Sequence, residues 1–142
     1  MNINNMKKTM PIILTTLLLF YSSMLFAANG NIANSLAQCY QEIGDNPRTQ
    51  IADCLKVKLV VAEKNMNESL LKARESLAAV DSSATKPALE SLATSQKDFI
   101  VYRNSECQRQ SDTLLGGSGA GDIYLACQIE QTEMRTKTLQ EK

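Results

Sequence analysis

Four cysteines are the residues of this 142-residue chain whose chemistry and spacing are most informative. Cys39 and Cys54 lie in the first half of the chain, and Cys107 and Cys127 lie in its last third. The gaps within both pairs are far longer than in the C-x-x-C pairs that bind zinc or exchange disulfides. An even number of cysteines at such spacing predicts two disulfides and an exported protein.

Histidine is absent from the chain, and its absence narrows the possible chemistry. Without histidine, the chain has no His-activated nucleophile and no His-ligated metal site. The 15 acidic residues permit carboxylate pairs of the kind that hydrolyse glycosides, but no spacing singles out one pair. We therefore predict that the protein is not an enzyme and has no catalytic residue, cofactor or metal.

The balance of charges argues against a nucleic-acid-binding protein. The chain has 15 Lys and Arg against 15 Asp and Glu, whereas nucleic-acid binding needs a basic surface that displaces counterions. Charged residues make up 21% of the chain and apolar residues 44%, which is typical of a folded protein. We expect a folded domain with no nucleic-acid partner.

The N-terminus has the layout of a secretory signal peptide. Lys7 and Lys8 form a positive segment, and the uncharged apolar run 10–26 follows it. Ala27 then supplies the small residue that a signal peptidase requires. The sequence predicts a signal peptide over 1–27 that is cleaved after Ala27, with cleavage after Ala28 as the next alternative.

Two alternatives to cleavage are open. The run 10–26 is close to the shortest segment that spans a bilayer, so a membrane anchor is the first alternative. Lipidation at Cys39 is the second, but Gln38 precedes this cysteine and the apolar run ends well before it. We favour cleavage, which leaves residues 28–142 as a periplasmic or secreted protein with no membrane contact.

Apolar periodicity predicts a chain that is helical throughout. The clearest helix is the second, where one apolar stripe with spacings of three and four residues persists over about seven turns. That stripe consists of Ile51, Leu55, Leu59, Ala62, Met66, Leu70, Ala73 and Leu77. The four predicted helices are 31–43, 47–80, 86–111 and 122–139.

Short breaks separate these helices. The run from Gly44 to Pro47 ends the first helix, and Asn46 is predicted to cap the second. A turn at 81–85 precedes the third helix, and a glycine-rich loop at 114–122 precedes the fourth. The predicted fold is all-α: a small elongated bundle, or hairpin, of about four helices that is stapled by two disulfides.

The hairpin at 81–85 brings all four cysteines to one end of the bundle. Three pairings of four cysteines exist, and the long-range ones are sterically possible here. We favour Cys39–Cys54 with Cys107–Cys127, because each bridge then joins consecutive helices. Each bridge is worth about 3 kcal/mol in the chain-entropy description, which suits a small domain with a thin core.

A motif on the third and fourth helices carries a family resemblance. Its first half fits approximately Q-x-x-W-x-x-Y-R-D-x-x-C, and its second half fits C-x-x-x-x-T-x-x-R-x-x-x-L. The residues at the defined positions are Gln96, Phe99, Tyr102, Arg103, Asn104, Cys107, Cys127, Thr132, Arg135 and Leu139. The chain resembles the LprI-like lysozyme-inhibitor domain family over essentially all of residues 28–142.

Two positions depart from the family pattern. Phe99 stands where the family usually has Trp, and it keeps an aromatic side chain. Asn104 stands where the family usually has Asp, so it lacks a charge that could pair with Arg103. The resemblance implies an exported helical protein with paired cysteines. The protein after which the family is named inhibits lysozyme.

Gln96 and Arg103 lie on the apolar stripe of the third helix. We interpret them as residues that form hydrogen bonds or ion pairs across the bundle, with Glu130 or Glu106 as candidate partners. The alternative interpretation is a polar patch that contacts a partner protein.

The glycine-rich loop is a more specific candidate for partner binding than the polar residues of the third helix. A protruding loop suits an inhibitor of a cleft enzyme, and a Cys107–Cys127 bridge would limit the ordering cost on binding. The candidate contact residues are Gly116, Gly117, Ser118 and Asp122 in this segment and Tyr102 on the third helix. The alternative is that the loop only connects two helices.

Two functions follow from these observations. The first is an exported inhibitor that binds a lysozyme and blocks its cleft without catalysis. The alternative is a periplasmic or envelope domain that binds another envelope protein, or has a structural role, and does not act on lysozyme.

Overall fold

The computed structural model describes residues 34–141, so the predicted signal peptide 1–27 lies outside the described residues. The described part consists of four α-helices and contains no strand, which confirms the all-α prediction. None of these helices combines the length and apolar character that crossing a bilayer requires. The helices are α1 Ser35–Ile43, α2 Gln50–Ala78, α3 Thr85–Asp112 and α4 Ala120–Gln140.

Asparagine side chains close both ends of α1. At its start, Asn34 Oδ1 accepts a hydrogen bond from the Ala37 N–H at 3.1 Å, as an N-cap residue does. At its end, the Asn46 amide donates to the Ile43 carbonyl at 2.7 Å. The prediction that Asn46 caps the next helix is therefore wrong, because its side chain turns back to α1 and α2 begins only at Gln50.

The apolar stripe of α2 forms one side of the core. Ile51 and Leu55 are completely buried, whereas Leu77 near the hairpin turn is half-buried. This gradient arises because α4 ends before the turn, with the Gln140 side chain donating to the Ser69 hydroxyl at 3.0 Å. The central cluster consists of Cys39, Ile51, Leu55, Ala62, Ala126 and Ile129.

Both disulfides lie at the opposite end of the bundle from the α2–α3 turn. Cys39–Cys54 joins α1 to α2 with a Cα–Cα distance of 5.8 Å, and Cys107–Cys127 joins α3 to α4 at 5.4 Å. The favoured pairing is confirmed. Two disulfides in so small a domain are typical of proteins from an oxidising compartment.

Candidate functional site

Arg103 lies inside a polar network between the three long helices. Only 6% of its surface is exposed. Its Nη1 donates to the Thr132 hydroxyl on α4 at 2.9 Å and to the Glu63 carboxylate on α2 at 3.1 Å. The ion pair across the bundle is present, but the expected partners Glu106 and Glu130 were wrong. A buried guanidinium with such partners holds the helices in register.

Asn104 extends this network along the surface of α3. Its Oδ1 accepts hydrogen bonds from Arg103 Nε at 3.3 Å and from the Gln128 amide at 3.1 Å. The same Gln128 amide donates to the Tyr124 hydroxyl at 3.0 Å. The Asn104 amide oxygen thus accepts two hydrogen bonds at the position where the family usually has a carboxylate.

Arg135 is the centre of a second network of motif residues. Its Nε donates to Gln96 Oε1 at 3.0 Å, and its Nη2 donates to the Ser95 hydroxyl at 3.0 Å. Gln96 in turn donates to the Met66 sulfur at 3.4 Å. The Arg135 guanidinium lies 5.6 Å from the centre of the Phe99 ring, a cation–π distance. Phe99 thus supplies the aromatic ring of this contact at the position where the family usually has Trp.

The loop between α3 and α4, residues 113–119, presents an apolar side chain to solvent. Leu115 is 94% exposed. Its φ of 49° lies in the left-handed region, which costs a leucine roughly 1–2 kcal/mol. Gly116 follows with a φ of 79°, which a glycine adopts without that cost. The leucine side chain is therefore exposed at a turn whose backbone conformation its own residue type disfavours.

Neighbouring elements hold this loop at its base. The Ser111 hydroxyl donates to the Ala120 carbonyl at 2.8 Å, which closes the loop across its two ends. On another side, the Arg48 side chain packs against Gly119. A Cβ atom added to this glycine would lie 3.2 Å from the Arg48 guanidinium. Arg48 itself lies 5.9 Å from the centre of the Tyr40 ring on α1. The loop thus contacts the connection between α1 and α2 as well as its own helices.

The structure places the predicted contact residues in three different elements. Gly116, Gly117 and Ser118 are exposed in the loop. Asp122 instead lies in the first turn of α4, where its charge favours the helix N-terminus. Tyr102 is 56% exposed but lies about 15 Å along the axis before the end of α3. Tyr102 therefore does not belong to the loop surface.

Sequence reasoning missed Leu115 and Arg48 as parts of this surface. The available signal for Leu115 was a pair of leucines directly before a pair of glycines, at a place where a plain connector needs no apolar residue. Arg48 gave no such signal, because its contact with the loop depends on how the two connections pack.

The two carboxylates that the sequence offered as partners of Arg103 have opposite environments. The pKa of Glu106 is lowered to about 2, first by a hydrogen bond from Arg109 and then by one from Gln110. Burial raises the pKa of Glu130, and the charge of Glu133 adds to that effect. Glu106 is ionised at neutral pH and therefore lacks the proton that a general acid must donate.

One group of side chains in the described part has the proximity of metal ligands. It consists of Cys39, Cys54 and Glu42. The two sulfurs are bonded to each other and offer no thiolate, which is the form that binds metal. Glu42 instead pairs with Lys58 at 2.7 Å. This group is a disulfide beside a surface ion pair.

Comparison with known proteins identifies the family. The family model of the lysozyme inhibitor LprI matches residues 36–139. Comparisons with curated proteins and with solved structures gave no significant match. The matched range contains both disulfides, both networks of motif residues and the loop that carries Leu115. The chain belongs to the family of the lysozyme inhibitor LprI.

Proposed function

We propose that the protein is an exported, non-catalytic inhibitor that binds a lysozyme and blocks its cleft with the loop 113–119. Membership of the LprI family supports the activity. The observation that carries the mode of binding is Leu115, exposed in a loop whose base is cross-linked. Export is supported by the predicted signal peptide 1–27 and by the two disulfides.

The energetics of such a loop suit a cleft-blocking inhibitor. Burying one leucine side chain contributes about 1.5–3 kcal/mol. The bridge Cys107–Cys127 and the hydrogen bond from Ser111 restrict the loop before binding, so less conformational entropy is lost in the complex. Exposed backbone groups at Gly116 and the Ser118 hydroxyl then supply hydrogen bonds to the walls of the cleft.

A lysis assay tests the proposal. Turbidity of a bacterial cell-wall suspension is followed with a chicken-type lysozyme and increasing amounts of the purified, oxidised protein. We expect dose-dependent inhibition that saturates at a 1:1 ratio and disappears after the disulfides are reduced. Full lysis at a large molar excess of the oxidised protein would refute the proposal for that class of lysozyme.

A second candidate function is an envelope protein-interaction domain without lysozyme activity. The observation that favours it is an apolar strip on α2, formed by Val57, Val60 and Val61, each more than half exposed. Contiguous exposed apolar side chains are typical of protein contacts. Under this function, Val60→Asp would abolish capture of an envelope partner, and the wild-type protein would leave lysozyme fully active.

A further inference from the structure

A groove of about 830 Å³ opens where α4 stops short of the α2–α3 turn. All three long helices contribute to its walls. Sites for small molecules commonly have volumes of about 300–1,000 Å³ and a mainly apolar lining. The apolar side chains along this groove are Ala73, Leu77, Leu92 and Leu139.

The groove carries a positive charge that no ion pair among residues 34–141 neutralises. Arg135 and Lys72 both line it, and Glu141 is the acidic side chain among the lining residues. Within residues 34–141, the ion pairs closer than 4.0 Å involve neither of these two cations. Because two cations face one carboxylate, the groove is complementary to an anion.

The Arg135 guanidinium is held in place for such an anion. It is half-buried, and its partners Gln96 and Ser95 are a neutral amide and a neutral hydroxyl. Its Nη1 forms no hydrogen bond to any residue of the described chain. A guanidinium with free N–H groups and a restricted orientation matches a carboxylate better than the flexible ammonium of a lysine does.

We propose that this groove binds one long-chain carboxylate. The acyl chain lies along Leu77, Leu92 and Leu139, and the carboxylate accepts hydrogen bonds from Arg135 and pairs with Lys72. The apolar lining selects the chain and the two cations select the anionic head. This site lies at the end of the bundle opposite the loop 113–119, so it is tested separately from lysozyme inhibition.

Titration calorimetry with dodecanoate, below its critical micelle concentration, tests the site on the purified, oxidised protein. We expect saturable 1:1 binding. Dodecyl maltoside, which has the same chain and no charge, is expected to bind at least about tenfold more weakly, because it makes no charge-assisted hydrogen bond. Equal affinity for the two amphiphiles, or no saturable binding of dodecanoate, would overturn the proposal.

Three variants locate the site. Arg135→Gln is expected to weaken dodecanoate binding about tenfold or more. Ser76→Trp places an indole in the groove at an exposed position and is expected to abolish binding. Lys86→Gln is the matched control, since it removes an exposed charge near the same turn but outside the groove.

Circular dichroism confirms the fold of each variant before titration. If Arg135→Gln does not fold, the site is tested with Ser76→Trp and Lys72→Gln instead. Both positions are exposed, so we expect both variants to fold. Wild-type affinity in folded Ser76→Trp would overturn the proposal. So would an equal loss of affinity in Lys86→Gln and the groove variants.

Discussion

Arg103 Nη1 lies 2.9 Å from the Thr132 hydroxyl, and both side chains are buried between α3 and α4. The same nitrogen lies 3.1 Å from a carboxylate oxygen of Glu63 on α2. The Glu63 side chain is 42% exposed, so water screens its charge in part while Thr132 is completely buried. A residue of the family motif thus connects all three long helices.

Replacing Arg103 is expected to destabilise the fold. Arg103→Met leaves the buried Thr132 hydroxyl without its donor and Glu63 without its counter-ion, so we expect the free energy of unfolding to fall by about 2–4 kcal/mol. Glu63→Gln keeps a hydrogen-bond acceptor but removes the counter-ion of a buried guanidinium, so we expect a smaller loss of about 1–3 kcal/mol. Urea unfolding followed by circular dichroism measures both, and an Arg103→Met protein as stable as the wild type would contradict this role.

The two disulfides are expected to contribute equally to stability but unequally to inhibition. Replacing either pair by serine removes a cross-link worth about 3 kcal/mol in the chain-entropy description. Cys107→Ser with Cys127→Ser also frees the base of the loop 113–119, so it is expected to weaken inhibition more than Cys39→Ser with Cys54→Ser does. Thermal unfolding and the lysis assay are compared at a temperature where both variants are folded. Equal inhibition by the two variants would argue against a cross-linked loop as the binding element.

Acid is expected to destabilise the protein in part through Glu106. Its pKa falls from an ordinary value of 4.5 to about 2, chiefly through the hydrogen bond from Arg109. Because the pKa is lower in the folded state, the ion pair stabilises the fold above about pH 4.5, and this stabilisation is lost as the pH falls toward 2. The Tm of Glu106→Gln is therefore expected to fall less than the wild-type Tm over this interval. Parallel curves of Tm against pH for the two proteins would show that the pair contributes nothing.

Glu130 is expected to have the opposite effect. Its pKa is raised by burial and by the charge of Glu133, so ionisation of this carboxyl opposes folding. The raised pKa stabilises the folded state fully below the ordinary pKa of glutamate. This stabilisation is lost as the pH rises through the raised pKa. Glu130→Gln should therefore have a higher Tm than the wild type at pH 7, and the difference should vanish in acid. A Tm at pH 7 equal to or below that of the wild type would refute this assignment.

The helices and the cysteine pairing could be predicted because they depend on local pattern. The stripe that contains Ile51 and Leu55 predicted the buried face of α2. The hairpin at 81–85 brought all four cysteines to one end, and the preference for bridges between consecutive helices then selected Cys107–Cys127. The partner of Arg103 could not be predicted, because it depends on the rotation and axial offset of α2 against α3. Those offsets bring Glu63 to Arg103, although Glu106 is closer along the chain.

The loop surface was predicted only in part for a similar reason. Glycine at 116 and 117 correctly indicated a turn, but the exposed tip is Leu115, a residue type that rarely adopts positive φ. The backbone preference of leucine therefore predicted a different conformation from the one in which Leu115 is exposed. Such a conflict between local preference and structure is more frequent at functional sites than elsewhere.

Leu115→Asn tests the central claim most directly, in the lysis assay beside the wild type and Leu71→Gln. Asparagine tolerates the left-handed backbone better than leucine does, so we expect the variant to be at least as stable as the wild type. Loss of the apolar tip is expected to weaken inhibition about tenfold or more. Leu71, an apolar residue on α2 that is 54% exposed, is the matched control, and Leu71→Gln should inhibit like the wild type. Undiminished inhibition by a folded Leu115→Asn protein would contradict the proposal that this loop blocks the cleft.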